Sequence, residues 1–209
     1  MTDVMPTFLG AYFPRELSRD YLASPQEFLF KKRILYLYEI IDGVMSRPDA
    51  FGPTMVMESL LALDSISHEP IKLIISSPGG DVASGFMLYD TIRAIESPVW
   101  SIGRNLASMA TVLFAAGERG HRYLHFHSRV MLHKPFGHVT GDSDEIQIRT
   151  KEIVLTKQQL VDCLIECGAV KEPAEILKDI ATEFWLSAEE TIAYGIADQK
   201  ISKGFWGTV

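Results

Sequence analysis

Between Phe51 and His68, the apolar residues Val56, Leu60, Leu63 and Ile66 recur at three- and four-residue spacing, which predicts an amphipathic helix. The apolar runs on either side are short and continuous. Ile34-Leu35-Tyr36-Leu37-Tyr38 and Lys72-Leu73-Ile74-Ile75 have the length and side-chain type of buried strands. After the second run the pattern is a glycine turn, a helix through Phe86, Tyr89, Ile92 and Ile95, and a further strand at Val99 to Ile102, which is β-α-β spacing. A helix from about Ala107 to Ala116 comes next. Two short strands, Arg122 to Phe126 and Arg129 to His133, then read as a hairpin, and a long helix runs from about Asp144 to Cys167, stopped by Gly168. Ser24-Pro25-Gln26-Glu27 and Ser187-Ala188-Glu189-Glu190 are capping boxes. They predict a short helix ending near Lys32 and a last helix closing near Gly195. Parallel strands joined by right-handed helical crossovers make the fold α/β.

Residues 1 to about 23 mix Pro6, Gly10, Pro14 and scattered aromatics without a period, as expected of an irregular arm. The rest suffices for one domain, since a chain of 209 residues at 47% hydrophobic can bury a substantial core. A formal charge of −7 argues against a sequence-independent grip on phosphate backbones, so nucleic acid is not expected as a partner. Cys163 and Cys167 lie one helical turn apart, fit neither a disulfide framework nor a metal knuckle, and read as buried thiols. No basic region precedes an apolar run at the N-terminus, and no stretch is long and apolar enough to span a bilayer; a cytosolic or organelle-matrix location is the expectation.

Three segments carry candidate chemistry. Ser77-Pro78-Gly79-Gly80-Asp81 turns a buried strand into a helix, and its paired glycines let backbone N–H groups approach a ligand. No lysine follows, so it is not a phosphate-binding loop, and a tight turn that binds nothing fits equally well. Ser108, in Gly103-Arg104-Asn105-Leu106-Ala107-Ser108-Met109-Ala110, follows a strand and opens a helix, where free first-turn N–H groups favour charge developing on an attacked carbonyl. The alternative is a serine that only caps the helix. His133 ends the alternating strand Ser128-Arg129-Val130-Met131-Leu132, and an imidazole there can take a serine's proton and return it to a leaving amine. His121, His125, His127 and His138 cluster nearby, but no carboxylate or cysteine completes a ligand set, so no metal is expected.

Taken together, the Ser77 to Asp81 turn, Ala107-Ser108-Met109-Ala110, Ser128 to His133, and Leu186-Ser187-Ala188-Glu189-Glu190 resemble the proteolytic subunit family of the Clp protease. Order and spacing fit across about residues 33 to 203. The resemblance implies a ClpP/crotonase-like spiral of β-β-α units with a protruding handle helix at about 144–167, a peptidase domain at 33–209 and an N-terminal arm at 1–32 in the axial region. It also implies stacked heptameric rings, a tetradecamer, enclosing the active sites. In the family's terms Ser108 is the nucleophile and His133 the base. The backbone N–H groups of Gly80 and Met109 form the oxyanion hole. An extended substrate lies between the segment after Gly80, with Asp81 and Val82, and the segment after His133, with Pro135, Phe136 and Gly137. The implied activity is a cytoplasmic serine endopeptidase without cofactor, which cuts unfolded polypeptides through an acyl-enzyme and is fed by an ATP-driven AAA+ unfoldase.

The chain departs from the family pattern at three places. Glu183 stands where the family usually carries the aspartate of the triad; it can orient His133, Asp179 is a second candidate, or Glu183 is an ordinary solvated carboxylate. Ala181-Thr182 replaces the family's acidic-Arg pair, which puts its coupling of ring stacking to the site in question. Residues 1–32 lack the family's Gly-Glu-Arg segment, leaving Tyr12, Phe13, Tyr21 and Phe28 to line or plug the pore differently. Two competing readings follow. One is a non-catalytic or weakly active ring subunit of a mixed assembly. The other is a crotonase-like acyl-CoA enzyme, against which the Ser108 and His133 pair argues.

Overall fold

The computed structural model describes residues 25–38, 40, 41 and 52–208. Short helix α1 (Pro25–Lys31) leads into strand β1 (Ile34–Leu37), then α2 (Pro53–Ile66), β2 (Ile71–Ser77), α3 (Val82–Ala94), β3 (Val99–Ala107), α4 (Met109–Ala115) and β4 (Arg122–Leu132). Helices α5 (Ser143–Glu166) and α6 (Pro173–Asp179) follow, then β5 (Phe184–Ser187), α7 (Ala188–Ala193), β6 (Gln199–Lys200) and α8 (Phe205–Thr208). The expected arm through residue 24, with Tyr12, Phe13 and Tyr21, lies outside the described residues, as does the cap at Ser24.

The sheet order is β1-β2-β3-β4-β5, with β6 also on β4. Strands β1 to β4 run parallel, and β5 returns antiparallel along the C-terminal half of β4 while β6 pairs with its N-terminal half. Side chains alternate across each strand. Leu35, Leu37, Leu73 and Ile75 therefore enter the main core with Val56, Leu60 and Leu63 of α2, Leu88 and Ile92 of α3, and the apolar residues of α4. Ile34, Tyr36 and Ile74 point the other way, to a smaller cluster with Ile102, Tyr123 and Phe205. Leu60 has no exposed surface, and truncating such a residue to alanine costs about 2–5 kcal/mol.

The expected hairpin at residues 122–133 is instead one strand. Both halves of β4 pair with β3, first Ser101 to Gly103 against Arg122 to Leu124, then Asn105 to Ala107 against Arg129 to Met131, with a register shift between them. The extra residues bulge out, and buried Ser128 closes the gap by donating its hydroxyl to the Gly103 carbonyl at 3.1 Å. The histidines of this stretch consequently scatter. His121 stacks on Trp100, His127 lies against Phe126, and His138 is exposed in the loop beyond β4.

Buried Arg122 ties the C-terminal part to the sheet. Its guanidinium donates to both carboxylate oxygens of Asp198 and to the carbonyls of Cys167 and Gly195. Burial alone would push Asp198 up, but the hydrogen bonds from Arg122 and Gly120 outweigh it and hold the carboxyl below its ordinary value. Cys163 and Cys167 are buried free thiols, as expected, and burial pushes Cys163 up to about 11.

Candidate active site

Strand β3 ends at Ala107 and α4 begins at Met109, so Ser108 alone makes the strand-to-helix turn. Its backbone sits at φ 57 and ψ −128, a region only glycine enters freely. The turn is pinned from both sides. The Ser108 N–H donates to the Met131 carbonyl at 2.9 Å, and the Thr111 hydroxyl donates to the same oxygen at 3.0 Å. Met131 precedes the end of β4, so one anchor fixes both Ser108 and the strand that delivers His133.

The result is direct contact: Nε2 of His133 lies 2.8 Å from Oγ of Ser108. With the ring neutral and its proton on Nδ1, the hydroxyl donates to Nε2. The imidazole is half-buried. Burial holds it below its ordinary value, and the nearby Glu183 charge pulls partly the other way.

The Ser77 to Asp81 turn closes the site's third side. A Cβ on Gly79 would come within 2.5 Å of the Ala107 carbonyl and 2.7 Å of the Ser108 Cβ, and one on Gly80 would run into the Ile41 carbonyl. Both glycines have positive φ, 87° and 149°. Only glycine permits this approach of backbone to the serine. Ile41 secures it by bridging to the turn, donating to the Gly79 carbonyl and accepting from the Asp81 N–H. Among the described residues, no acceptor takes the N–H of Gly80 or of Met109. The Asp81 carboxylate instead caps α3, accepting from the Ser84 N–H and hydroxyl at 2.8 and 2.7 Å.

Beside Ser108 a small apolar pocket is walled by Val82, Val112, Leu132, Pro135, Leu164 and Ile180. Phe136 is 85% exposed with its ring 5.6 Å from that of His133, and Gly137 has open space around its α-carbon. A much larger cavity of about 740 Å³, lined by Phe28, Tyr36, Tyr38 and Arg104 among others, shares no residue with this site.

The two acidic candidates separate. The Asp179 carboxylate accepts from Lys171 Nζ at 2.6 Å and Tyr194 hydroxyl at 3.1 Å, which commits it away from His133. Glu183 is exposed just before β5 and accepts from the Trp185 indole N–H at 3.0 Å. No hydrogen bond joins His133 Nδ1 to a carboxylate among the described residues. Sequence reasoning passed over Trp185, and no spacing signalled that its indole would take the Glu183 carboxylate.

The chain matches the family model for Clp protease over residues 18–204. It is 32% identical over 197 residues to an ATP-dependent Clp protease proteolytic subunit of Carsonella ruddii, covering 94% of this chain and 97% of that protein. It is 38% identical over 177 residues to proteolytic subunit 1 of Chlamydia felis, covering 83% of each, and 34% identical over 180 residues to proteolytic subunit 2 of Pseudomonas aeruginosa, covering 86% of each. The mixed sheet with its helices is the α/β fold that the resemblance implied, and the chain belongs to the Clp protease family, among its proteolytic subunits.

Proposed function

We propose that the chain is a serine endopeptidase subunit of a self-compartmentalised ATP-dependent protease, cutting unfolded polypeptides into short peptides through an acyl-enzyme. The observation that carries this is the 2.8 Å contact between Ser108 Oγ and His133 Nε2, on a strained turn that exposes the hydroxyl beside an apolar pocket. Ser108 attacks the scissile carbonyl as His133 takes its proton, and the oxyanion is received by the N–H groups of Gly80 and Met109, each such donor being worth about 10²- to 10³-fold in rate. Protonated His133 then gives its proton to the leaving amine, and water repeats the sequence to release the acid. The substrate lies extended between Asp81-Val82 and Pro135-Phe136-Gly137, with an apolar side chain in the pocket of Val82, Leu132 and Ile180. Glu183, when its carboxylate faces the imidazole, orients the ring and stabilises its cation.

The same reading makes residues 33–209 the peptidase domain and 1–32 an axial arm. The relatives are named ATP-dependent, which supports an AAA+ unfoldase as the supplier of substrate, and this reading assigns the pair to the cytoplasm. Ile148, Val154 and Leu155 on the exposed part of α5 support packing against further copies in stacked heptamers. A second reading, a weakly active subunit of a mixed ring, is favoured by the missing bond between His133 and a carboxylate.

Degradation of a dye-labelled unfolded polypeptide by the purified chain decides between them. Wild-type turnover that falls at least about 10³-fold in Ser108→Ala fits the peptidase. Turnover that survives Ser108→Ala rules it out, and none in the assembled wild type favours the structural subunit.

A further inference from the structure

The β4–β5 ladder pairs Met131 with Trp185 and Leu132 with Phe184. The ladder ends there, so His133 and Glu183 each lie one residue beyond the Leu132–Phe184 pair, and the Glu183 charge is felt at the imidazole. Paired Cα atoms at the end of an antiparallel ladder stand about 5 Å apart, so the residues that flank the last pair lie within a long side chain's reach of each other. The carboxylate is not spent there. Glu183 Oε2 accepts the Trp185 indole N–H, and the indole is itself held by the Arg129 guanidinium, 5.8 Å above its ring. The reach is a matter of length, because glutamate's extra methylene lets the carboxylate span to the residue two places along the strand.

We propose that Trp185 is a positioning residue that parks the Glu183 carboxylate, and that Ser108 reacts through the fraction of molecules in which this carboxylate has turned from the indole N–H to the Nδ1–H of His133. The link to rate rests on the serine peptidase reading above; the exchange of partners does not. The indole is 46% exposed, so its bond to Glu183 competes with water and is weak enough to break and reform. Turning moves no proton between the two groups. It places a negative charge against the imidazole and fixes the tautomer that leaves Nε2 free to accept from Ser108.

The test compares wild type, Trp185→Phe, Glu183→Gln and the double variant as assembled proteins, reading two quantities. One is the titration of His133, followed through its Cε1–H NMR signal. The other is the second-order rate of fluorophosphonate labelling at about pH 8, where histidine is neutral. Freeing the carboxylate in Trp185→Phe should raise the His133 titration midpoint and speed labelling about five-fold, the scale of a typical net hydrogen bond. Both changes should vanish in the Glu183→Gln background, which a merely structural role for Trp185 would not produce. Glu183→Asp, too short to span to the indole, should reproduce them if Trp185→Phe does not fold. An unchanged His133 titration in folded Trp185→Phe, or slower labelling, overturns the proposal. A shifted titration with no labelling in any variant would leave the exchange standing and sink the peptidase reading.

Discussion

At Ser108 the chain holds a non-glycine residue in a conformation that costs about 1–3 kcal/mol, offset by the two hydrogen bonds that converge on the Met131 carbonyl. Gly79→Ala should show how tightly this is packed. Its Cβ would meet the Ala107 carbonyl and Ser108 Cβ, and because its φ is positive the backbone cannot relax, so labelling of Ser108 should slow at least about 100-fold in folded protein. His133 sets the pH dependence. Only the neutral imidazole accepts the serine proton, and burial holds its midpoint below the ordinary 6.5, so kcat/KM should rise through a value under 6.5 and level off by neutrality. Glu183→Gln removes the one influence that raises it, and the midpoint should move lower still; a wild-type midpoint above 6.5 would contradict this. The serine and histidine were legible through the family resemblance of the motifs that carry them, each just past the end of a strand. The orientation of Glu183 was not, because it turns on a rotamer choice between His133 and an indole that no spacing encodes.

At the scale of elements, β4 does two jobs. Its N-terminal half anchors β6, its C-terminal half carries His133 and anchors β5, and the bulge between them lets one strand follow β3 throughout. The bulge was illegible because His127-Ser128 reads as the turn of a hairpin, and the Ser128 hydroxyl on the Gly103 carbonyl, a contact 25 residues away in sequence, helps make it a continuous strand. Ser128→Ala strands that buried carbonyl and should cost about 1–2 kcal/mol, read as a lower Tm. The capping box at Ser187 was legible since it is local. Its hydroxyl accepts the Glu190 N–H while the Glu190 carboxylate accepts the Ser187 N–H. Ser187→Ala should cost about 1 kcal/mol.

For the whole molecule, α5 is the exposed element. At 24 residues it is about 36 Å long, and its buried residues Leu160, Val161, Cys163 and Leu164 all fall near its C-terminal end. Ile148 and Leu155, two turns apart on one face, stay exposed along with Val154, and apolar surface of that kind supports packing against a second copy. If the proposed stacked heptamers form, Leu155→Glu should leave the secondary structure intact and lower the light-scattering mass of the assembly; an unchanged mass would remove α5 from the interface. The extent of this helix was legible from the Gly168 stop, whereas what covers its exposed residues is not written in a single chain.

The most direct test of the account is to react the assembled protein with a fluorophosphonate and weigh the intact chain, beside Ser108→Ala and His133→Ala. The account predicts one adduct per chain, lost in Ser108→Ala and sharply slowed in His133→Ala. No adduct on folded, assembled wild type, or an adduct that persists in Ser108→Ala, would contradict it.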